Sequence, residues 1–278
     1  MNTRAYLIYL VKGFFIGIAK ILPGVSGAML AMSFGVYDDA IHAIRHYRQD
    51  LLKNTFFLGS LGIGVITAMV CFSHVVSFAL NHYYLTTMLL FIGLILGGMT
   101  GLYKKVSHHH IRIQHIFVFM ICCLFILWIR KFQIHESALE IISPSKMFIY
   151  MIMIGFIDAI TMIIPGISGT AIFMILGFYP LFLSMIQKLG SISSILNSMG
   201  TFFPYGLGLF LGILIAVWIM DYLLNRHHEV TYYGILGLSS SSILFLFFET
   251  LSKNYTVTDI VAGLMCLVIG YYLGHKFE

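Results

Sequence analysis

Long apolar runs, interrupted by single glycines and short polar stretches, set the plan of this chain of 278 residues. Six of them, Thr55 to Leu80, Leu85 to Tyr103, Ile113 to Ile129, Thr201 to Leu224, Tyr232 to Phe248 and Val257 to Leu273, are long enough, or nearly so, to cross about 30 Å of hydrocarbon. They predict plain membrane-spanning helices. Two further segments, Gly13 to Tyr37 and Gly155 to Tyr179, differ in carrying PGVSG or PGISG at their centre, with ten residues on either side. Ten helical residues rise only about 15 Å, half a membrane. Proline lacks an N–H and glycine accepts turn geometry, so the chain is expected to stop, turn and restart there. Each segment is read as a re-entrant helical hairpin, with one kinked span as the alternative.

The two broken segments are copies of each other. GFFIGIAKILPGVSGAMLAMSFGVY and GFIDAITMIIPGISGTAIFMILGFY match without gaps at an offset of 142, with 11 identities in 25 positions. A weaker likeness continues at offset 144, where Gly62, Gly64, Asn81 and Gly93 meet Gly206, Gly208, Asn225 and Gly237. The whole half is therefore duplicated. Residues 1–130 form repeat 1, with hairpin 13–37 and spans 55–80, 85–103 and 113–129. Residues 131–278 form repeat 2, with hairpin 155–179 and spans 201–224, 232–248 and 257–273. One hairpin and three spans make an odd number of crossings, so the second copy is expected upside down relative to the first. The expected fold is an all-α integral membrane protein, one membrane domain built as an inverted repeat. Broken helices meeting near the midplane recur in secondary transporters.

Composition agrees with a lipid environment. Hydrophobic residues make up 59% of the chain and charged residues 10%, against about 25% charged in soluble domains. The net charge of +5 has no soluble basic domain to carry it, which argues against nucleic acid and for basic loops on one membrane face. With two hairpins, Arg4, Lys12, Arg45, Arg48, Lys53, Lys104, Lys105, Arg112, Arg226 and Lys276 share one side, and Arg130, Lys131, Lys146, Lys188 and Lys253 the other. Two full spans would leave the charges nearly even. Hairpins are favoured, with both termini cytoplasmic. The apolar stretch up to Leu22 is interrupted by Lys12 and Lys20 and is not expected to be a cleaved signal. Cys71, Cys122, Cys123 and Cys266 lie in apolar runs without metal-ligand spacing and are expected to be buried packing residues. No phosphate-loop, zinc-helix or nucleophile-elbow motif is present, so no metal or cofactor is expected.

A helix restarting after a turn aims unpaired N–H groups and the positive end of its dipole at the break, which suits an anion. Ser26, Gly27 and Ala28 in one copy, and Ser168, Gly169 and Thr170 in the other, are the candidates. Tight turning and helix packing by small residues is the alternative. Two ionisable residues stand in the apolar arms, where such groups are functional candidates by default. Lys20, three residues before Pro23, is placed to neutralise a phosphate, or to snorkel to the interface. Asp158, seven before Pro165, is placed to exchange a proton, or to sit at the outer interface. Tyr37 and Tyr179, which close the two segments, suit an interface.

The doubled motif, AKILPGVSGAMLAMSFGVY and TMIIPGISGTAIFMILGFY, with the spans after each, resembles the bacterial polyprenyl-phosphate transporter family over essentially the full chain. It departs from that pattern at Lys20, where an acidic residue is usual, and at Ala28, where glycine is usual. The resemblance implies a flippase without catalytic activity, returning undecaprenyl phosphate from the outer to the inner leaflet of the bacterial plasma membrane. It also implies that the phosphate is held by Pro23, Gly24, Val25, Ser26 and Gly27 with Pro165, Gly166, Ile167, Ser168, Gly169 and Thr170. Undecaprenyl-pyrophosphate phosphatases carry a similar motif, and an anion channel built on the hairpins is a third reading.

Overall fold

A computed structural model describes residues 3–23, 26–106, 112–129, 144–164, 168–251 and 255–276. Its first half contains α1 (Thr3–Ile21), α2 (Gly27–Ser33), α3 (Tyr37–Arg45), α4 (Leu51–His82), α5 (Tyr84–Val106) and α6 (Ile113–Ile129). The second contains α7 (Pro144–Ile163), α8 (Gly169–Leu176), α9 (Tyr179–Lys188), α10 (Ile192–Asn197), α11 (Met199–Arg226), α12 (His228–Thr250) and α13 (Val257–Lys276). Among the described residues six helices, α4, α5, α7, α11, α12 and α13, are long and apolar enough to cross a membrane, while α6 has 17 residues.

The broken segments have unequal arms. α1 and α7 run for 19 and 20 residues, longer than the ten-residue arms read from the sequence. No proline or glycine intervenes between either helix start and Gly13 or Gly155, and Pro144 opens α7, where its missing N–H costs nothing. The arms after the break, α2 and α8, have only 7 and 8 residues. Both end at a glycine with positive φ, Gly35 at +65° and Gly177 at +79°, a conformation that side chains disfavour and glycine adopts freely. α9 then departs from α8 at 120°.

Each short arm folds back on its long one. Gly27 lies against Ile16, and the Lys12 ammonium donates to the Phe34 carbonyl at 2.7 Å. Residues 27–34 thus run back along residues 12–16. In the other half Gly169 lies against Thr161 and Asp158.

Packing recurs in register across the two halves. α1 crosses α4, with Gly13 against the Leu61 backbone and Gly64 against the Leu10 backbone. α7 crosses α11, with Gly155 against the Tyr205 backbone and Gly208 against the Ile152 backbone. Small residues let membrane helices approach this closely. The remaining spans exchange partners: α5 packs on α13, α6 on α12, and α5 meets α12. Phe173, Tyr179, Phe182 and Phe91 fill the centre. Ser241 and Ser242, inside α12, bond back to the carbonyls of Gly237 and Leu238.

The outer surface is apolar. Phe210, Trp218, Val268 and Tyr272 are each at least 60% exposed, an arrangement suited to hydrocarbon. Cys71 corrects the expectation of buried cysteines, since it is exposed and the other three are partly buried. In a lipid-facing helix an apolar neighbourhood in sequence does not mean an interior position.

Candidate functional site

Two charges separated by 138 positions meet inside the bundle. Lys20 occupies the last turn of α1, where the carbonyl end of a helix favours a cation. Its Nζ lies 2.5 Å from Oδ1 of Asp158 on α7, and the two side chains are 11% and 2% exposed. The other carboxylate oxygen, Oδ2, accepts a hydrogen bond from the Tyr205 hydroxyl of α11 at 2.5 Å. A carboxylate removed from water needs such partners, because an unpaired buried charge is very costly. Asp158 therefore ties together α1, α7 and α11.

Lys20 lines a cavity of about 130 Å³ shared by both halves, and Asp158 lies behind it against Gly169. Lys20, Gly27, Ala28, Ala31, Tyr37 and Ala40 line it from the first half. Thr161, Met162, Gly169, Thr170 and Ile213 line it from the second. At the 142-residue offset the counterpart of Asp158 is Ile16 and that of Lys20 is Met162. Both counterparts line the same cavity, so each half contributes one charge and one apolar residue at equivalent positions.

The structure brings five of the sequence candidates, Lys20, Gly27, Ala28, Gly169 and Thr170, to this cavity. Asp158 sits beside them as the partner of Lys20, buried rather than at an interface. Neither Ser26 nor Ser168 lines the cavity. Ser26 is 9% exposed and its carbonyl accepts the Leu30 N–H. Ser168 caps α8, its Oγ accepting the Ala171 N–H at 3.3 Å and lying 3.1 Å from the Thr170 hydroxyl. Pro23 is buried. Gly24, Val25, Pro165, Gly166 and Ile167 lie outside the described residues.

Tyr37 and Tyr179 do more than close their segments. The Tyr37 hydroxyl donates to the carbonyl of Ile163 at 2.9 Å, and the Tyr179 hydroxyl donates to that of Ile21 at 2.8 Å. These bonds are reciprocal, because Ile163 and Ile21 are themselves counterparts at the 142-residue offset. Each carbonyl ends a helix and lacks an intrahelical donor. Tyr179→Phe is expected to lower stability by about 1–2 kcal/mol, since it strands a buried carbonyl. Tyr37→Phe should cost less, because Tyr37 is only half-buried at the cavity. Thermal unfolding of the two variants in detergent checks the order.

Tyr205 and Thr161 were not singled out from the sequence. The one signal for Tyr205 is that it stands where the first copy has Leu61, adding a hydroxyl at an apolar position.

A bundle of lipid-facing helices closed around a buried ion pair and a shared cavity defines a multi-pass membrane protein with an internal polar site, the kind of place where intramembrane charges act. The chain belongs to the family described as VCA0040-like, undecaprenyl phosphate translocase-like, whose profile matches residues 16–261. It is similar to the polyprenyl-phosphate transporter of Vibrio cholerae serotype O1 (strain ATCC 39315 / El Tor Inaba N16961), at 25% identity over 254 residues. That match covers 85% of this chain and 76% of the relative. It is also similar to the polyprenyl-phosphate transporter of Staphylococcus aureus (strain NCTC 8325 / PS 47), at 26% identity over 273 residues, covering 95% and 93%. No solved structure matches the chain.

Proposed function

We propose that this protein is a transporter that returns undecaprenyl phosphate, or a closely related polyprenyl phosphate, from the outer to the inner leaflet of a bacterial plasma membrane. The observation that carries the reading is the Lys20–Asp158 pair, buried at a cavity to which both halves contribute. The named relatives, both polyprenyl-phosphate transporters, point to the same ligand class.

The chemistry follows from an exchange of partners. A phosphate entering the cavity meets the Lys20 ammonium and the start of α8 at Gly169 and Thr170, where N–H groups and the helix dipole favour negative charge. Lys20 cannot fully serve Asp158 and a phosphate together. As it turns to the phosphate, Asp158 keeps the Tyr205 hydroxyl and loses its counter-charge. A proton arriving at Asp158 restores neutrality, so phosphate and proton enter the site as a pair. In this scheme α1–α2 and α7–α8 are re-entrant units entering from opposite faces, an arrangement supported by the reciprocal tyrosine bonds and used by other transporters. The loop charges orient both termini to the cytoplasm.

The test is reconstitution into liposomes, with labelled undecaprenyl phosphate followed between leaflets with and without a pH gradient. Protein-dependent movement that responds to the gradient is expected. Movement indifferent to the gradient removes the proton step, and no protein-dependent movement removes the transporter reading. Ser168→Ala should cost about 1 kcal/mol through the lost cap and weaken lipid-phosphate binding by loosening the first turn of α8. Ser26→Ala is its partner experiment, and unchanged binding in both excludes the hydroxyls. The phosphatase reading needs an acid or base beside the scissile bond and an arginine to hold its charge, whereas neither arginine nor glutamate is among the described residues that line the cavity. Purified protein is therefore expected to release no phosphate from undecaprenyl pyrophosphate.

A further inference from the structure

The cavity owes its room to two alanines. Ala31 on α2 and Ala40 on α3 line it, and their counterparts at the 142-residue offset are Phe173 and Phe182. Those phenylalanines are 0% and 1% exposed, with ring centroids 5.1 Å apart. Equivalent positions are thus packed solid in one half and hollow in the other. Ile41 and Ile44 border the hollow, and their counterparts Leu183 and Ile186 are apolar too. What the first half lacks is bulk, not apolar character. An apolar void inside a bundle is destabilising unless something fills it.

We infer that this hollow seats the first isoprene unit of a prenyl phosphate, that the rest of the chain stays in the bilayer, and that chain length is therefore not read. The inference rests on the transporter reading above and extends it to the tail. Head and tail features share one cavity: Lys20, Thr161 and Thr170 supply polar groups, and Ala31, Ala40 and Ile41 the apolar wall. Met162, 40% exposed on the outside of the bundle, also lines it and marks the way out to lipid. Size sets the limit. An apolar cavity of about 150 Å³ holds one benzene-sized molecule, so about 130 Å³ is filled by one five-carbon unit, with the phosphate at its polar edge by Lys20, and excludes a polyprenyl chain. Discrimination falls on the phosphate and the carbons next to it.

The experiment uses the full chain in nanodiscs, with labelled undecaprenyl phosphate displaced by geranyl phosphate, a two-isoprene ligand, or by inorganic phosphate. Geranyl phosphate, compared at equal mole fraction in the bilayer, is expected to compete within about tenfold of the unlabelled long lipid. Inorganic phosphate should be weaker than geranyl phosphate by at least about tenfold, the effect of leaving an apolar seat empty. Ala40→Phe, which puts into the hollow the residue of the other half, should weaken both lipids by at least about tenfold. Ala31→Leu repeats the test at a second wall should the first variant fail to fold. Binding of undecaprenyl phosphate with no competition from geranyl phosphate overturns this inference and leaves the transporter reading standing. So does competition by inorganic phosphate equal to that by geranyl phosphate, or wild-type binding in both filled variants. If neither lipid binds, the transporter reading fails and the inference fails with it.

Discussion

Lys20→Met alone, or Asp158→Leu alone, is expected to destabilise the protein by about 3–5 kcal/mol, and the two together to restore most of that loss without restoring transport. Each single change leaves its partner charged and stripped of water, in side chains only 11% and 2% exposed. The double change removes both charges and replaces them with apolar groups of similar volume, an exchange that buried pairs generally tolerate. Thermal unfolding in detergent separates the three variants, and leaflet-to-leaflet movement of labelled lipid measures what the fold alone cannot supply. A double variant that is stable and still transports would leave the pair as scaffold and remove it from the mechanism.

Gly155→Val and Gly208→Val are expected to cost about 1–3 kcal/mol or more each, the range for forcing bulk into a well-packed interface. A side-chain carbon on Gly155 would overlap the Tyr205 carbonyl, and one on Gly208 that of Ile152. Backbone cannot swing aside as a side chain can, so α7 and α11 must separate. Tyr205 rides on α11 one turn before Gly208, and separation draws its hydroxyl away from Asp158. Binding should weaken along with stability. Gly206→Ala, on the same helix with open space around it, is the control, expected to be neutral or to stabilise by about 0.5–1 kcal/mol. Thermal unfolding of the three variants decides the matter, and equal losses at Gly206 and Gly208 would contradict the close crossing.

Much of the helical plan is legible in the residues, because lipid makes apolar length itself the signal. The spans from Thr55, Leu85, Ile113, Thr201, Tyr232 and Val257 all lie within observed helices. The positions of the breaks are equally plain, since two in-register copies of a Pro-Gly turn leave few other meanings. Arm lengths are not, because α1 and α7 extend upstream of Gly13 and Gly155 through residues free of any helix breaker but Pro144, which suits a first turn.

The candidate site divides in the same way. Lys20 and Asp158 stand out individually as charges in apolar arms, yet nothing local joins residues 138 positions apart. Comparing the copies does not join them either, because their counterparts are the uncharged Met162 and Ile16. Tyr205 is hidden by the commonness of tyrosine in membrane helices. The exchange of partners between α5–α13 and α6–α12 is carried by glycines visible in the sequence, such as Gly93, Gly237 and Gly270, whose contacts no periodicity specifies.

That exchange bears on how the molecule is made. α5 emerges from the ribosome well before α13, and α6 before α12, so the first half enters the membrane with the glycine-notched face of α5 and the facing side of α6 uncovered. Those faces must wait in lipid until the far end of the chain has been inserted. Neither half closes its own helix layer, and severed halves expressed separately have to find each other before either becomes a finished protein.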